Sequence, residues 1–155
     1  MKLRIGAIAM MGLAAIGLCY SGVHAQPPAP QDTTRSVWDG VYTDAQAARG
    51  KAQYTQSCSE CHGETLTGDG MAPPLSGGDF LSNWNGLTAG DLFERIRTTM
   101  PLSKPGSLSR DANGDVLAYI FSFNKFPSGQ TELPRDTPTL KQIQIQSNKP
   151  DKGDK

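Results

Sequence analysis

The sequence predicts a small all-α domain in which short helices are joined by long loops. Two segments carry apolar residues at helical spacing, a third begins with a helix-capping pattern, and none of the 155 residues lies in a strong strand pattern. Between Gly63 and Gly90 the chain holds seven glycines and two adjacent prolines, which indicates a long irregular stretch. These observations favour helices and loops over a sheet.

Each predicted helix has its own start signal. The first lies in "TDAQAARGKAQYTQS", where Thr43 is a suitable N-cap and Gln46 occupies the capping-box position. The second lies in "LTAGDLFERIRTTM", with Thr88 as its cap and Pro101 as its stop. The third runs from about Ser109 to Asn124, where apolar residues recur at three- and four-residue intervals.

The N-terminus has the features of a secretory signal. Lys2 and Arg4 precede an apolar run from Ile5 to Leu18, and Val23 and Ala25 place small residues at the positions that a signal peptidase reads. We expect cleavage after Ala25 and a periplasmic protein without a stable membrane span. The run is shorter than the roughly 20 residues of a transmembrane helix. An uncleaved membrane anchor is the alternative.

Composition divides the remaining chain into three parts. Residues 26–36 are proline-rich and polar and are expected to form a linker. Residues 37–127 contain the helical patterns and are expected to form the domain. Residues 128–155 hold few apolar side chains, so we expect an extended C-terminal tail over the domain surface.

The charge balance argues against two classes of partner. The chain has 15 basic and 15 acidic residues, and loss of Lys2 and Arg4 with the signal leaves 13 basic residues and a net charge of −2. Nucleic acids and anionic membranes attract strongly basic surfaces. We therefore expect neither as a partner.

The candidate site residues stand together in "QSCSECHGETLTG". After signal cleavage, Cys58, Cys61 and His62 are the only cysteines and histidine left. A structural zinc site needs four such ligands, and a thioredoxin-type cysteine pair follows a strand in a βαβ setting, whereas a helical pattern precedes this one. C-x-x-C-H is the signature of covalent haem c attachment. We expect one haem c, held by both cysteines, with His62 as an iron ligand.

The sixth iron ligand is expected to be Met100. No second histidine remains after cleavage, and methionine is another common axial ligand. Met71 follows His62 closely in a loop and is expected to pack or to face solvent. Met100 ends the second helix, and Pro101 favours an extended backbone there, which suits a thioether that swings over the far face. A methionine at a helix end can also be ordinary core filler.

From Thr43 to Phe126 the chain resembles the class I cytochromes c. Gly50 and Tyr54 precede the haem motif as in that family, "APPL" resembles the proximal loop, "TTMP" the distal loop, and "DVLAYI" the terminal helix. The resemblance implies a small class I cytochrome c fold, with three main helices and loops wrapped around one covalently bound haem.

The resemblance also implies roles for individual residues. The Pro73 carbonyl would accept the second ring N–H of His62, and Leu75 would pack on the haem. Val116 and Tyr119 would pack on the first helix near Gly50. Outside these motifs, Trp84 is expected either to bind a haem propionate or to lie in the core. Arg95 and Arg97 would either pair with propionates or form a solvated face.

The expected function is that of a monohaem electron carrier without catalytic residues, which moves single electrons between redox proteins. The segments that flank the core resemble bacterial cytochrome domains that accompany quinoprotein (PQQ-dependent) dehydrogenases. This implies such a dehydrogenase as donor and an oxidase or another cytochrome as acceptor. Two alternatives stay open: a dedicated electron-accepting subunit of a quinoprotein dehydrogenase, and a haem sensor with a displaceable sixth ligand.

Overall fold

The computed structural model describes residues 35–70 and 72–151. The expected signal, most of the linker and Met71 lie outside the described residues. In chain order, the elements are β1 (Arg35–Ser36), a 3₁₀ turn (Val37–Asp39), α1 (Asp44–Ser57), α2 (Ser59–His62), α3 (Gly77–Trp84), α4 (Ala89–Thr99), α5 (Arg110–Phe123), α6 (Thr137–Leu140) and β2 (Ile143–Gln144). The predicted all-α class is confirmed for this part of the chain.

The three predicted helices form, and two of them begin at the caps that the sequence indicated, Thr43 and Thr88. Thr43, Thr88 and Ser109 each accept a hydrogen bond from a backbone N–H in the first turn of α1, α4 and α5. Helix α3 was not predicted, because it lies in the glycine-rich stretch. It presents a fully buried Phe80 to the core, and this burial offsets the low helix propensity of its first two glycines.

Gln46 does not complete the predicted capping box. Its buried amide instead bonds the backbone of Leu133: Nε2 donates to the carbonyl at 3.4 Å, and Oε1 accepts from the N–H at 2.7 Å. A buried backbone segment needs partners for its polar groups, and outside a sheet a side-chain amide can supply both. Gln46 therefore ties α1 to the C-terminal segment.

Helices α1 and α5 cross at Gly50 with almost no space between their backbones. A Cβ atom on Gly50 would lie 1.8 Å from the Asp115 carbonyl oxygen and 2.9 Å from Cβ of Tyr119. The rings of Tyr54 and Tyr119 pack beside this crossing, with their centroids 5.2 Å apart. Tyr119 thus packs near Gly50 as expected, and only glycine fits at the crossing.

The described part of the C-terminal segment differs from the expected extended tail. It forms α6 and β2, and its apolar side chains are buried in the core: Leu133, Leu140, Ile143 and Ile145. Strand β2 pairs in parallel with β1, with Arg35 opposite Ile143. The apolar side chains are few, but they are spaced so that each reaches the core, and burial of apolar surface outweighs the low average hydropathy of the segment.

The C-terminal segment also holds the chain between α3 and α4. The Ile145 N–H donates to the Leu87 carbonyl at 2.8 Å, and the Gly86 N–H donates to the Ile145 carbonyl at 2.9 Å. The Trp38 indole N–H donates to the Gln146 carbonyl at 2.9 Å. The C-terminal segment is therefore bonded to the chain between α3 and α4, and the N-terminal end of the described chain is bonded to the C-terminal segment. Over residues 35–70 and 72–151, every helix is too short or too polar to span a bilayer.

Candidate functional site

A cavity of about 700 Å³ opens between α2, the loop that follows it, α4 and α5. The four site residues expected from the sequence all line it: Cys58, Cys61, His62 and Met100. Its walls are mostly apolar, with side chains that include Leu75, Leu92, Ile96, Val116 and Ile120. The chain thus brings two thiols, an imidazole and a thioether to one apolar space.

The single turn of α2 sets the spacing of the cysteine motif. The Cys58 N–H still donates to the Tyr54 carbonyl of α1, and the His62 N–H donates to the Cys58 carbonyl at 3.0 Å. Residues three apart on a helical turn lie on one side of it, so Cys58 and Cys61 face the cavity together. Both are free thiols, and burial raises the pKa of the Cys58 thiol to about 11.

His62 is buried, with its ring fixed by a backbone carbonyl. Nδ1 lies 2.9 Å from the Pro73 oxygen. A carbonyl only accepts, so Nδ1 carries the proton and donates it, and Nε2 is the nitrogen left for a metal. This is the hydrogen bond that the family resemblance implied. The tautomer suits a ligating histidine, whose second nitrogen usually binds such a partner.

Met100 reaches the cavity because α4 ends there. Its N–H is the last to bond a helical carbonyl, that of Ile96, and its backbone is extended, with φ −117° and ψ 156°. The bond to Pro101 is cis. The extended backbone agrees with the expectation drawn from Pro101, and the half-buried side chain lines the same cavity as His62. The competing Met71 lies outside the described residues.

The structure separates the two arginines considered for propionate binding. Arg97 forms an ion pair with Glu94 at 2.6 Å. Arg95 lines the cavity, and within residues 35–70 and 72–151 its guanidinium has no ion-pair partner. Trp84 also lines the cavity, and its indole N–H bonds no described residue. The Arg95 guanidinium and the Trp84 indole N–H lie beside an apolar cavity. The two groups could bind the carboxylates of a ligand whose apolar ring fills the cavity.

The mouth of the cavity combines both signs of charge with an exposed apolar side chain. Glu60, Asp69 and Arg95 all contribute to its lining. Leu102, which follows Met100 and Pro101, is 77% exposed. The rim therefore has no strong excess of one charge.

Asn124 does not line the cavity but bonds the loop beside it, and the sequence indicated it only as the end of the third helix. Its Nδ2 donates to the Leu75 carbonyl at 2.9 Å, and its Oδ1 accepts from the Gly77 N–H at 3.0 Å. Asparagine is common at helix ends, so the sequence carried no signal for these long-range bonds. They connect the end of α5 to the loop that bonds His62.

Comparisons with known proteins agree with this geometry. Residues 45–120 match the family model described as cytochrome c oxidase, cbb3-type, subunit III. The chain is also similar to cytochrome c-554(547) of Halothiobacillus neapolitanus, with 36% identity over 81 residues, which are 50% of this chain and 75% of that protein. No solved structure matched.

Proposed function

This chain belongs to the cytochrome c family, and on that premise we propose that it is a periplasmic monohaem cytochrome that moves single electrons between redox proteins. Members of the family carry covalently bound haem c and act as electron carriers rather than as catalysts. The finer parts of the proposal are the residues that hold the haem, the compartment and the partners. One observation carries the assignment of residues: four side chains of the expected chemistry line one apolar cavity.

Cys58 and Cys61 are proposed to form the two thioether bonds, and His62 and Met100 to bind the iron. The haem supplies a centre that takes up and releases one electron. The Pro73 carbonyl holds His62 in the tautomer that leaves Nε2 for the metal. The apolar walls exclude water, and Arg95 is placed to balance carboxylate charge at the mouth.

The proposed attachment predicts a covalent adduct. Expressed with a cytochrome c maturation system and exported, the protein should keep its haem in denaturing gels. Its mass should equal that of residues 26–155 plus one haem. Replacing Cys58 or Cys61 by alanine should leave a single weakened link or no holoprotein. Haem that acid acetone extracts from the wild-type protein would refute the thioether bonds, and a mass that includes residues 1–25 would refute signal cleavage.

The proposed electron donor is a PQQ-dependent dehydrogenase, with an oxidase or another cytochrome as acceptor. This part rests on the resemblance of the flanking segments to cytochrome domains that accompany quinoprotein dehydrogenases. Co-purification with a dehydrogenase at fixed stoichiometry would favour the alternative, a permanently docked subunit. A haem sensor would bind added carbon monoxide in the wild-type protein, whereas a carrier with Met100 on the iron should resist it.

Docking is expected to depend weakly on salt. The rim combines Glu60 and Asp69 with Arg95, and the exposed Leu102 adds apolar contact surface. Screening acts mainly on exposed charge pairs, and a mixed rim offers few aligned ones. Electron-transfer rates with the native partner should therefore change less than about tenfold between about 50 and about 500 mM salt. A steeper loss, measured by stopped-flow absorbance, would show that charge steers the encounter.

A further inference from the structure

The carbonyl that bonds His62 lies in a stretch that has few hydrogen bonds of its own. Pro73 and Pro74 lack N–H groups, so neither can anchor the backbone by donating. The nearest anchors are on either side: the Ala72 N–H donates to Asp69 Oδ1 at 2.9 Å, and the Leu75 N–H donates to the Leu66 carbonyl at 2.7 Å. The position of the Pro73 carbonyl therefore depends on what holds the chain around it.

The Asn124 side chain forms hydrogen bonds with the backbone immediately after the two prolines. Its Nδ2 donates to the Leu75 carbonyl at 2.9 Å, and its Oδ1 accepts from the Gly77 N–H at 3.0 Å. Nδ2 also donates to the Ile120 carbonyl of α5 at 2.9 Å. Both amide hydrogens and the amide oxygen are thus engaged, which leaves one orientation for the group.

These hydrogen bonds connect the loop to α5. Asn124 caps α5, and α5 is locked against α1 by the close contact at Gly50. A residue that only capped its own helix would need the Ile120 bond alone. The two bonds to residues 75 and 77 reach 49 and 47 positions back along the chain. These two bonds therefore hold the loop in place and are not needed to cap the helix.

We propose that Asn124 is a positioning residue for His62: by clamping Leu75 and Gly77 to α5, it holds the Pro73 carbonyl against the His62 Nδ1–H. This inference adds to the proposed role of His62 as an iron ligand and rests on it for its functional meaning. The clamp keeps the imidazole in one tautomer and orientation, since a second partner on a ligating histidine fixes both.

The test is the exchange rate of the His62 Nδ1–H, followed by NMR in the reduced holoprotein. Ring N–H exchange requires the Pro73 hydrogen bond to open locally, so it reports on the clamp and not on overall stability when measured far from unfolding. Asn124→Ala should speed this exchange at least about fivefold. Asn124→Asp keeps an acceptor for the Gly77 N–H but loses both donors, so it should speed the exchange, though less than Asn124→Ala does.

Gln46→Ala is the matched control. Gln46 is also an amide that bonds the N–H and the carbonyl of a distant backbone segment, but that segment, at Leu133, is not part of the site. The exchange rate in Asn124→Ala should exceed that in Gln46→Ala by at least about fivefold. A smaller ratio would overturn the proposal, because the effect would then follow general loosening.

The same spectra separate this proposal from the iron-ligand assignment. If His62 binds iron, its ring protons lie in the ring current of the haem and are shifted strongly upfield. Unshifted ring protons in the wild-type protein would refute the ligand assignment, while the exchange rates would still decide whether Asn124 holds the Pro73 carbonyl.

Discussion

Replacing Met100 by alanine is expected to lower the reduction potential by on the order of 100 mV, since axial ligands shift haem potentials over a range of about 0.8 V. A thioether stabilises ferrous iron, and the water or hydroxide that replaces it does not. The variant should also bind cyanide and carbon monoxide, because a vacated position on the iron becomes accessible through the cavity mouth. A redox titration and optical ligand titrations measure both effects.

Met71→Ala is the matched control for this substitution. It removes the only other methionine of residues 26–155, so it tests the choice between the two directly. We expect it to leave the potential and the ligand resistance unchanged. If Met71→Ala reproduced the behaviour of Met100→Ala, the proposed ligand would be wrong.

The substitution Gly50→Val is expected to cost about 3 kcal/mol of unfolding free energy or more, at the upper end of what overpacking does. The clash is between a new Cβ and a backbone oxygen, which cannot rotate away as a side chain can, at a separation of 1.8 Å. The helices α1 and α5 must therefore move apart, which also separates the Tyr54 and Tyr119 rings. Denaturant unfolding of the holoprotein, followed by haem absorbance and circular dichroism, measures the loss.

Gly78→Ala controls for the loss of a glycine as such. Gly78 lies in α3, and a Cβ there would meet no atom within 4 Å. Alanine is the better helix former, so this variant should be neutral or more stable by up to about 1 kcal/mol. Equal destabilisation of the two variants would contradict the role assigned to the crossing.

Helix caps and helix ends could be predicted from the sequence because a few neighbouring residues determine them. The caps at Thr43 and Thr88 and the end of α4 before Pro101 depend on a few neighbouring residues, and each occurs as expected. Elimination of histidine left two methionines, the position before Pro101 favoured Met100, and the structure brings Met100 to the same cavity as His62.

Contacts between residues far apart in the sequence could not be predicted, because short sequence patterns do not identify distant partners. Gln46 matches a capping box locally, yet Leu133 takes its amide, because the satisfaction of a buried backbone outweighs an exposed cap. The C-terminal segment looked too polar to join the core, although side chains such as Ile143 and Ile145 are fully buried. The bonds of Asn124 to residues 75 and 77 are likewise set only by the tertiary fold.

The pairing of β1 with β2 determines how the domain carries mechanical load. A pull applied between residues 35 and 145 acts first where the two ends of the described chain are joined, at the pairing of Arg35 with Ile143 and the Trp38 bond to Gln146. Ile145 is also bonded to Gly86 and Leu87, so the same pull reaches the chain between α3 and α4 through these two hydrogen bonds. Force applied between residues 35 and 145 would therefore load the β1–β2 pairing and these two hydrogen bonds together.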